Sequence, residues 1–353
     1  MSETENPGSP IDLLEIRLGS TWPSIHKAHT DTLARRAELE SRFSSRESPD
    51  TSLVVFGSVA RCEVTSQSDL DWILLIDGQS VPEHKIQEID IESVLSAAGF
   101  VEPGKSGKMV GSHDLVHNIG GEDDLNSNTT RRVLLLLESL PVGNREAYDR
   151  VRRQLLRRYI EDDRGLLRSG GAVRIPRFLL NDITRYWRTV TVDFVYKQRA
   201  GSDNKWALRN AKLRMSRKLV FAAGLLLCFF CHLDPNAARA RDALTGSDKD
   251  ISLLIEYLDG QLKLTPLERV AQACLSLQIP ENIVSSIFDN YDRFLSILDD
   301  PEKRSQLTHA RSHSELRESS VWAEVRDIGS PFHDGLVDLF LMGGSELSPL
   351  TRK

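Results

Sequence analysis

Apolar residues are concentrated in two short dense runs near the start of the chain, and almost everywhere after residue 129 they take helical spacing. Residues 11–43 carry apolar positions three and four apart, broken near Gly19 and Pro23, which predicts a helical N-terminal segment in two pieces followed by a loop at SSRESPDTS. The runs LVVF (53–56) and LDWILLI (70–76) predict strands, the second apolar enough for a central place in a sheet, with Asp77-Gly78 ending it. In HKIQEIDIESVLSAAGF (84–100), Ile91, Val94, Leu95 and Ala98 share one face and Gly99 stands near the end, the pattern of a helix that closes on glycine. The glycine-rich stretch 99–128 has no period and predicts a long loop, a feature usually tied to function or mobility.

From Thr129 onward the segments TRRVLLLLESL, AYDRVRRQLLRRYIEDD, IPRFLLNDITRYWRTVTVDFVYKQ and KWALRNAKLRMSRKLVFAAGLLLCFF predict four helices. Asn128 or Thr129 can cap the first, and Pro176 stands where the third begins. Further helices are expected at 250–262, 265–277, 280–298 and in part of 313–342. DDPEKRSQLTHARSHSELRESS (299–320) reads as an exposed polar segment and SELSPLTRK as a loose tail. The expected fold class is α+β: a small mixed β-sheet core with flanking helices, followed by an all-α C-terminal domain. The expected divisions are an N-terminal helical segment at 1–50, a core at 51–145 and a helical domain at 146–345.

Composition narrows the setting. With 353 residues, 40% hydrophobic and 27% charged, the chain has the makeup of a globular protein large enough for two domains. Cys62, Cys228, Cys231 and Cys274 show no disulfide framework and the N-terminus lacks the pattern of a secretory signal, so a reducing cytoplasm is the expected location. The longest apolar run, 219–233, is short for a bilayer, and no membrane association is expected. Its Cys228-Phe-Phe-Cys231-His232 formally matches a haem-attachment pattern, but within a helical apolar run it reads as buried thiols. The net charge of −6 is uneven: from Arg131 to Lys218, 22 Lys and Arg face 9 Asp and Glu, so this stretch carries +13 and the rest −19. A basic middle in an acidic chain points to an anionic ligand or partner, or to helix faces paired with the acidic flanks.

The candidate chemistry lies in FGSVARCEVTSQSDLDW, residues 56–72. Alternate side chains of a strand share a face, so Asp69 and Asp71 project together, and two carboxylates that close repel unless a cation lies between them. Hard oxygen ligands suit Mg²⁺ or Mn²⁺, whose usual companion is a phosphate group. Gly57 permits close approach of a phosphate, and the Ser58 hydroxyl with the following backbone N–H groups can bind its oxygens.

This arrangement, with Arg61, Glu63, Thr65 and Ser68 around it, resembles the signature of the DNA polymerase β nucleotidyltransferase superfamily. GFVEPGKSGKMV at 99–110 and LLLLESLPVGN at 134–144 are further similar to the nucleotidyltransferase domain of bacterial PII-protein uridylyltransferases and their stand-alone relatives, over about residues 50–160. The resemblance implies an Mg²⁺-dependent (or Mn²⁺-dependent) enzyme that uses an NTP. Asp69 and Asp71 would hold the metal, and Gly57, Ser58, Arg61 and Ser68 would bind the nucleotide. A protein hydroxyl is the implied acceptor; an RNA or tRNA end is the alternative, and a catalytically silent nucleotide-binding module is a second.

Two departures stand out. Cys62 replaces the glycine usual after the arginine, and no strand ends in an obvious third carboxylate, which the superfamily generally uses for the catalytic metal and the acceptor proton. Asp124 is the first candidate for that acid, with Asp123, Asp114 and Glu138 as rivals. The resemblance also implies a lysine and a hydroxyl from the helical part on the triphosphate. Lys212 and Ser216, four apart on one face with Lys205 two turns earlier, fit that role. Tyr186 and Trp187, beside Phe178 and Phe194, are candidates for base stacking but at helical spacing read better as core, and His113 and His117 are weak candidates as ligands.

Overall fold

The computed structural model describes residues 8–44, 48–100, 108–167, 174–199, 205–245, 250–309 and 319–341. Two helices open the chain, α1 (Pro10–Leu18) and α2 (Pro23–Phe43), broken where Gly19 takes a left-handed φ of +64°. The four-stranded sheet consists of β1 (Thr51–Phe56), β2 (Asp71–Ile76), β3 (Lys108–Gly111) and β4 (Ser139–Val142), in the order β3-β2-β1-β4. β1 runs antiparallel to β2 and β4, whereas β2 and β3 are parallel, so the sheet is mixed as expected.

Between β1 and β2 stands one helical turn, α3 (Ser58–Arg61); α4 (Pro82–Ala97) follows β2. The stretch 99–128 is more ordered than its composition suggests. It contains β3 and α5 (Ser112–Val116), and α6 (Asn126–Leu137) begins before its end; residues 101–107 of the GFVEPGKSGKMV likeness lie outside the described residues. β4 follows α6 almost directly; four residues with Pro141 in the middle give no strand period, and a proline is tolerated there because β4 is an edge.

The remainder is helical: α7 (Glu146–Glu161), α8 (Arg164–Leu167), α9 (Arg177–Arg199), α10 (Trp206–Lys212), a π-helical turn (Leu213–Arg217) and α11 (Lys218–Leu233). After a 3₁₀ turn (Pro235–Ala237) come α12 (Ala238–Ala243), α13 (Ser252–Gln261), α14 (Pro266–Ser276), α15 (Glu281–Asp299), α16 (Pro301–His309) and α17 (Ser320–Leu341). The polar segment from residue 299 is therefore not simply an exposed linker, because α16 docks through the buried Leu307 and Arg304. Residues 310–318 of that segment, and the tail from 345, lie outside the described residues.

The period of two along the strands sorts the sheet into two faces. Leu53, Val55, Trp72, Leu74 and Ile76 pack against Leu39 and Phe43 of α2 and Ile91 and Leu95 of α4. Val54, Phe56 and Leu75 pack on the other side with Val133, Leu136 and Leu137 of α6 and Val151 and Leu155 of α7. That second core continues into α9 and α11. A third core joins Leu14, Trp22 and Ile25 to α10, α11, α14, α15 and α17. α1 packs with the C-terminal helices, and the sheet shares its second core with α9 and α11. Trp206–Leu233 is long and apolar enough to cross a membrane by length and composition, and 67% of its most apolar window is buried in these cores. Cys228 and Cys231 lie in that helix, fully buried, where burial pushes both thiols up.

A polar network crosses from the sheet layer to the helices. Glu138, between α6 and β4, accepts from Arg61 at 2.6 Å with one oxygen and from Arg217 with the other. Arg61 also donates to Glu63 at 2.7 Å, and Glu63 accepts from the Tyr291 hydroxyl on α15 at 2.5 Å. Burial alone would raise the Glu138 pKa, but Arg217 and Arg61 outweigh it and hold it below 4.5.

Two outcomes are expected. A Cβ at Gly224 in α11 would lie 2.8 Å from Leu137 and 3.1 Å from Ile183, so Gly224→Ala should cost about 1–3 kcal/mol in urea unfolding by overpacking. Glu138→Gln should cost about 3 kcal/mol at pH 7 by leaving the buried Arg61 and the half-buried Arg217 short of a counter-charge. Because the folded-state pKa is depressed, the stability from Glu138 is full well above pH 4.5 and is lost as acid approaches the lowered value. The gap between parent and variant should therefore narrow in melts run from pH 7 down to pH 4.

Candidate active site

The site begins at Gly57, with φ +72° and ψ −140°, a conformation that strains any other L-residue. A Cβ there would meet Asp71 Oδ2 at an ordinary contact distance of 3.6 Å, so it is the backbone conformation more than crowding that calls for glycine. The turn ends at Cys62, whose φ of +60° is also left-handed and whose N–H bonds the Ser58 carbonyl. This explains why a glycine is usual at the position: Cys62 adopts unaided what glycine adopts without strain. Burial raises its thiol to about 11, so it is not a poised nucleophile.

Three parts of the chain secure the connection between the turn and Asp69. From α2, Arg36 donates to the carbonyls of Val59 and Ala60 at 2.7 and 2.9 Å, and the Thr32 hydroxyl accepts the Val64 N–H at 3.0 Å. From within, the Ser68 hydroxyl accepts the Thr65 N–H at 2.9 Å. From the C-terminal helices, Asp299 accepts the Ser66 N–H at 3.0 Å and Arg304 donates to the Thr65 hydroxyl at 2.9 Å.

β2 presents Asp71 opposite Phe56 and so beside Gly57, with Asp69 two residues earlier; both side chains are open to solvent at the mouth of a cavity. Gly57, Ser58, Arg61, Ser68, Asp69, Asp71, Lys212 and Ser216, all singled out in the sequence, line this one cavity together with Glu63, Thr65, Arg217 and Arg304. Lys212 Nζ lies 4.0 Å from Asp69 Oδ1. The two carboxyls are driven apart. Surrounding protein and the Asp69 charge raise the Asp71 pKa, while for Asp69 the same burial is outweighed by Lys212, its own hydrogen bonding and Arg304. Burial lowers the Lys212 pKa against the pull of Asp69, and Arg304, Arg61 and Arg217 lower it further. Such a wall has one carboxyl, Asp71, whose charge a cation would relieve, and a group of cations that favours an anion.

The π-helical turn explains why Arg217 escaped notice in the sequence. Its widened backbone sets Lys212, Ser216 and Arg217 on one cavity wall, where an α-helix would turn residues five apart to different sides. Arg304 had no signal at all, lying more than 230 residues from the loop it grips, in a stretch that reads as solvated.

Asp124 is not brought to the cavity. Its carboxylate accepts from Arg132 at 2.7 and 2.9 Å and from Arg185 at 3.0 Å, in a buried cluster with Asp182 and Tyr159. With its side chain 2% exposed and bonded to two arginines, it has no free oxygen to offer a metal. Asp114 and Asp123 are exposed elsewhere. Glu138 comes nearest, close enough to raise the Asp71 pKa, but its oxygens are engaged by Arg61 and Arg217. Among the described residues, the carboxylates lining the cavity are Glu63, Asp69 and Asp71, and Glu63 is tied to Arg61 and Tyr291.

Asp12, Glu15 and His26 also gather within metal-ligand range. Asp12 caps α1, while Glu15 accepts the Trp22 N–H at 2.6 Å and bonds His26, so hydrogen bonding accounts for the group. Tyr186 is buried, and Trp187 stacks on Phe221 at 5.2 Å, as core residues. The rings of His113 and His117 face each other at 4.9 Å.

No curated protein matches the chain. A family model described as the nucleotidyltransferase domain matches residues 36–101, from α2 through Gly57, Ser58, Asp69 and Asp71 to the end of α4. Residues 36–101 are thus similar to a nucleotidyltransferase domain, a match consistent with the polymerase β-type nucleotidyltransferase superfamily.

Proposed function

We propose that the protein transfers an NMP from an NTP to a hydroxyl of a protein acceptor, with Asp69 and Asp71 holding Mg²⁺ or Mn²⁺. The observation that carries this reading is the pair of solvent-facing aspartates two residues apart, beside a strained glycine turn, in a cavity whose other walls supply Lys212, Arg217 and Arg304. The donor set fits the metal: two carboxylates two residues apart offer hard oxygen ligands, and a cation between them would offset the repulsion that Asp69 exerts on Asp71. When bound, the metal supplies neutralisation of phosphate charge and orientation of the attacking oxygen.

The chain's own residues do the rest. Gly57 leaves room for a phosphate at the turn, and the Ser58 hydroxyl is placed to bond its oxygens. Lys212, with Arg217 and Arg304 behind it, draws the polyphosphate into the cavity; Ser216 lies on the same wall. The acceptor oxygen bonds to the α-phosphorus as the bond from that phosphorus to pyrophosphate breaks, and the acceptor's proton passes to solvent water at the open mouth of the cavity. The likeness of LLLLESLPVGN to the uridylyltransferases favours a protein acceptor. A second reading, an RNA or tRNA end, is favoured by the spacing of Lys205, Arg209 and Lys212, which lie along one side of α10 and lead to Asp69. The absence of an uncommitted third carboxylate among the described lining residues favours the silent module.

The test is incubation with each NTP radiolabelled at the α-phosphate, Mg²⁺ or Mn²⁺, and either total protein or total RNA. Label should enter the protein pool. Asp69→Asn, nearly equal in volume, should cut transfer at least about 100-fold while the melting temperature stays within a few degrees of the parent's. Undiminished turnover in that variant would sink the assignment, label in RNA alone would replace the acceptor, and NTP binding without label in either pool would leave a nucleotide-binding module.

A further inference from the structure

The cavity's far wall is built by the last helices of the chain, and one side chain there has no counterpart in the motif. Arg304 is 5% exposed and lies on α16, just beyond the turn that ends α15. Its guanidinium donates to the Thr65 hydroxyl at 2.9 Å, to the Gln67 carbonyl and, weakly, to the Leu298 carbonyl at 3.4 Å. It therefore holds the motif's connection at two points two residues apart, and the residues that follow are Ser68 and Asp69. Asp299 reinforces the grip through the Ser66 N–H and hydroxyl.

We propose that Arg304 is a positioning residue for the metal site: by pinning Thr65 and Gln67 to α16 it fixes the turn that aims Asp69 at the ion shared with Asp71. This rests on the metal-dependent reading above. The alternative role, a bare positive charge near Asp69, predicts the opposite effect on metal affinity. Removing a nearby cation by itself tightens the binding of another cation, whereas loosening a ligand's support weakens it. The sign of one measured change therefore separates the two.

The experiment is Mn²⁺ binding to the nucleotide-free protein, followed by electron paramagnetic resonance, in the parent, Asp69→Asn, Arg304→Met and Arg304→Lys. The parent should bind and Asp69→Asn should not. Arg304→Met should lose at least about tenfold in Mn²⁺ affinity with an unchanged near-ultraviolet circular dichroism spectrum. Arg304→Lys should stay close to Arg304→Met, because an ammonium group restores the charge but cannot span both acceptors. Thr65→Val, which removes one acceptor at nearly constant volume, should show a smaller loss in the same direction and keeps the test decisive if Arg304→Met does not fold. Unchanged or tighter Mn²⁺ binding in Arg304→Met, or in Thr65→Val where Arg304→Met does not fold, or full recovery in Arg304→Lys, overturns the role of Arg304 while the metal site stands. A parent that does not bind Mn²⁺ overturns both.

Discussion

A carboxylate pressed between two guanidinium groups is the interaction on which the rest depends. Glu138 is almost wholly buried, and charge there is tolerable only because Arg61 and Arg217 meet both of its oxygens. Desolvating three ions is costly, and an apolar substitute would pack as well, so the value of the arrangement lies in register more than in stability. Arg61 belongs to the glycine turn, Glu138 to the approach of the edge strand, and Arg217 to the π-helical turn. Their mutual bonding allows one relative placement of these elements, and that placement brings Asp71 and Lys212 to the same cavity.

The same geometry sets the electrostatics. Each lining charge is adjusted by others: Asp71 is disfavoured by the protein around the cavity mouth and by Asp69, and Lys212 by desolvation and by three arginines. Without a ligand the cavity is locally frustrated on both signs, which suits a site for a cation and a polyanion that arrive together. The separate Asp124–Arg132–Asp182 cluster lies away from this cavity, as a structural network far more than a chemical one.

What the sequence revealed follows from how local each feature is. The two strands, the glycine turn and the aspartate pair lie within about 25 residues and have their own periods and turn chemistry, so each was legible. The long helices were legible through their apolar stripes. β3 and β4 were not, since four residues establish no period. Asp124 misled because a polar glycine-rich stretch looks solvated, and nothing in it discloses that Arg132 and Arg185 converge on that carboxylate. Arg217 and Arg304 were hidden by a helical defect and by a long-range contact, respectively, neither of which leaves a local pattern.

The grip of Arg304 on Gln67 spans 237 residues of chain. A ribosome delivers the glycine turn and both aspartates long before α16 emerges, so a growing chain carries the acids of the site without the wall that aims them. A chain that stops before α16 keeps the motif and lacks the hydrogen bonds that tie Thr65 and Gln67 to Arg304.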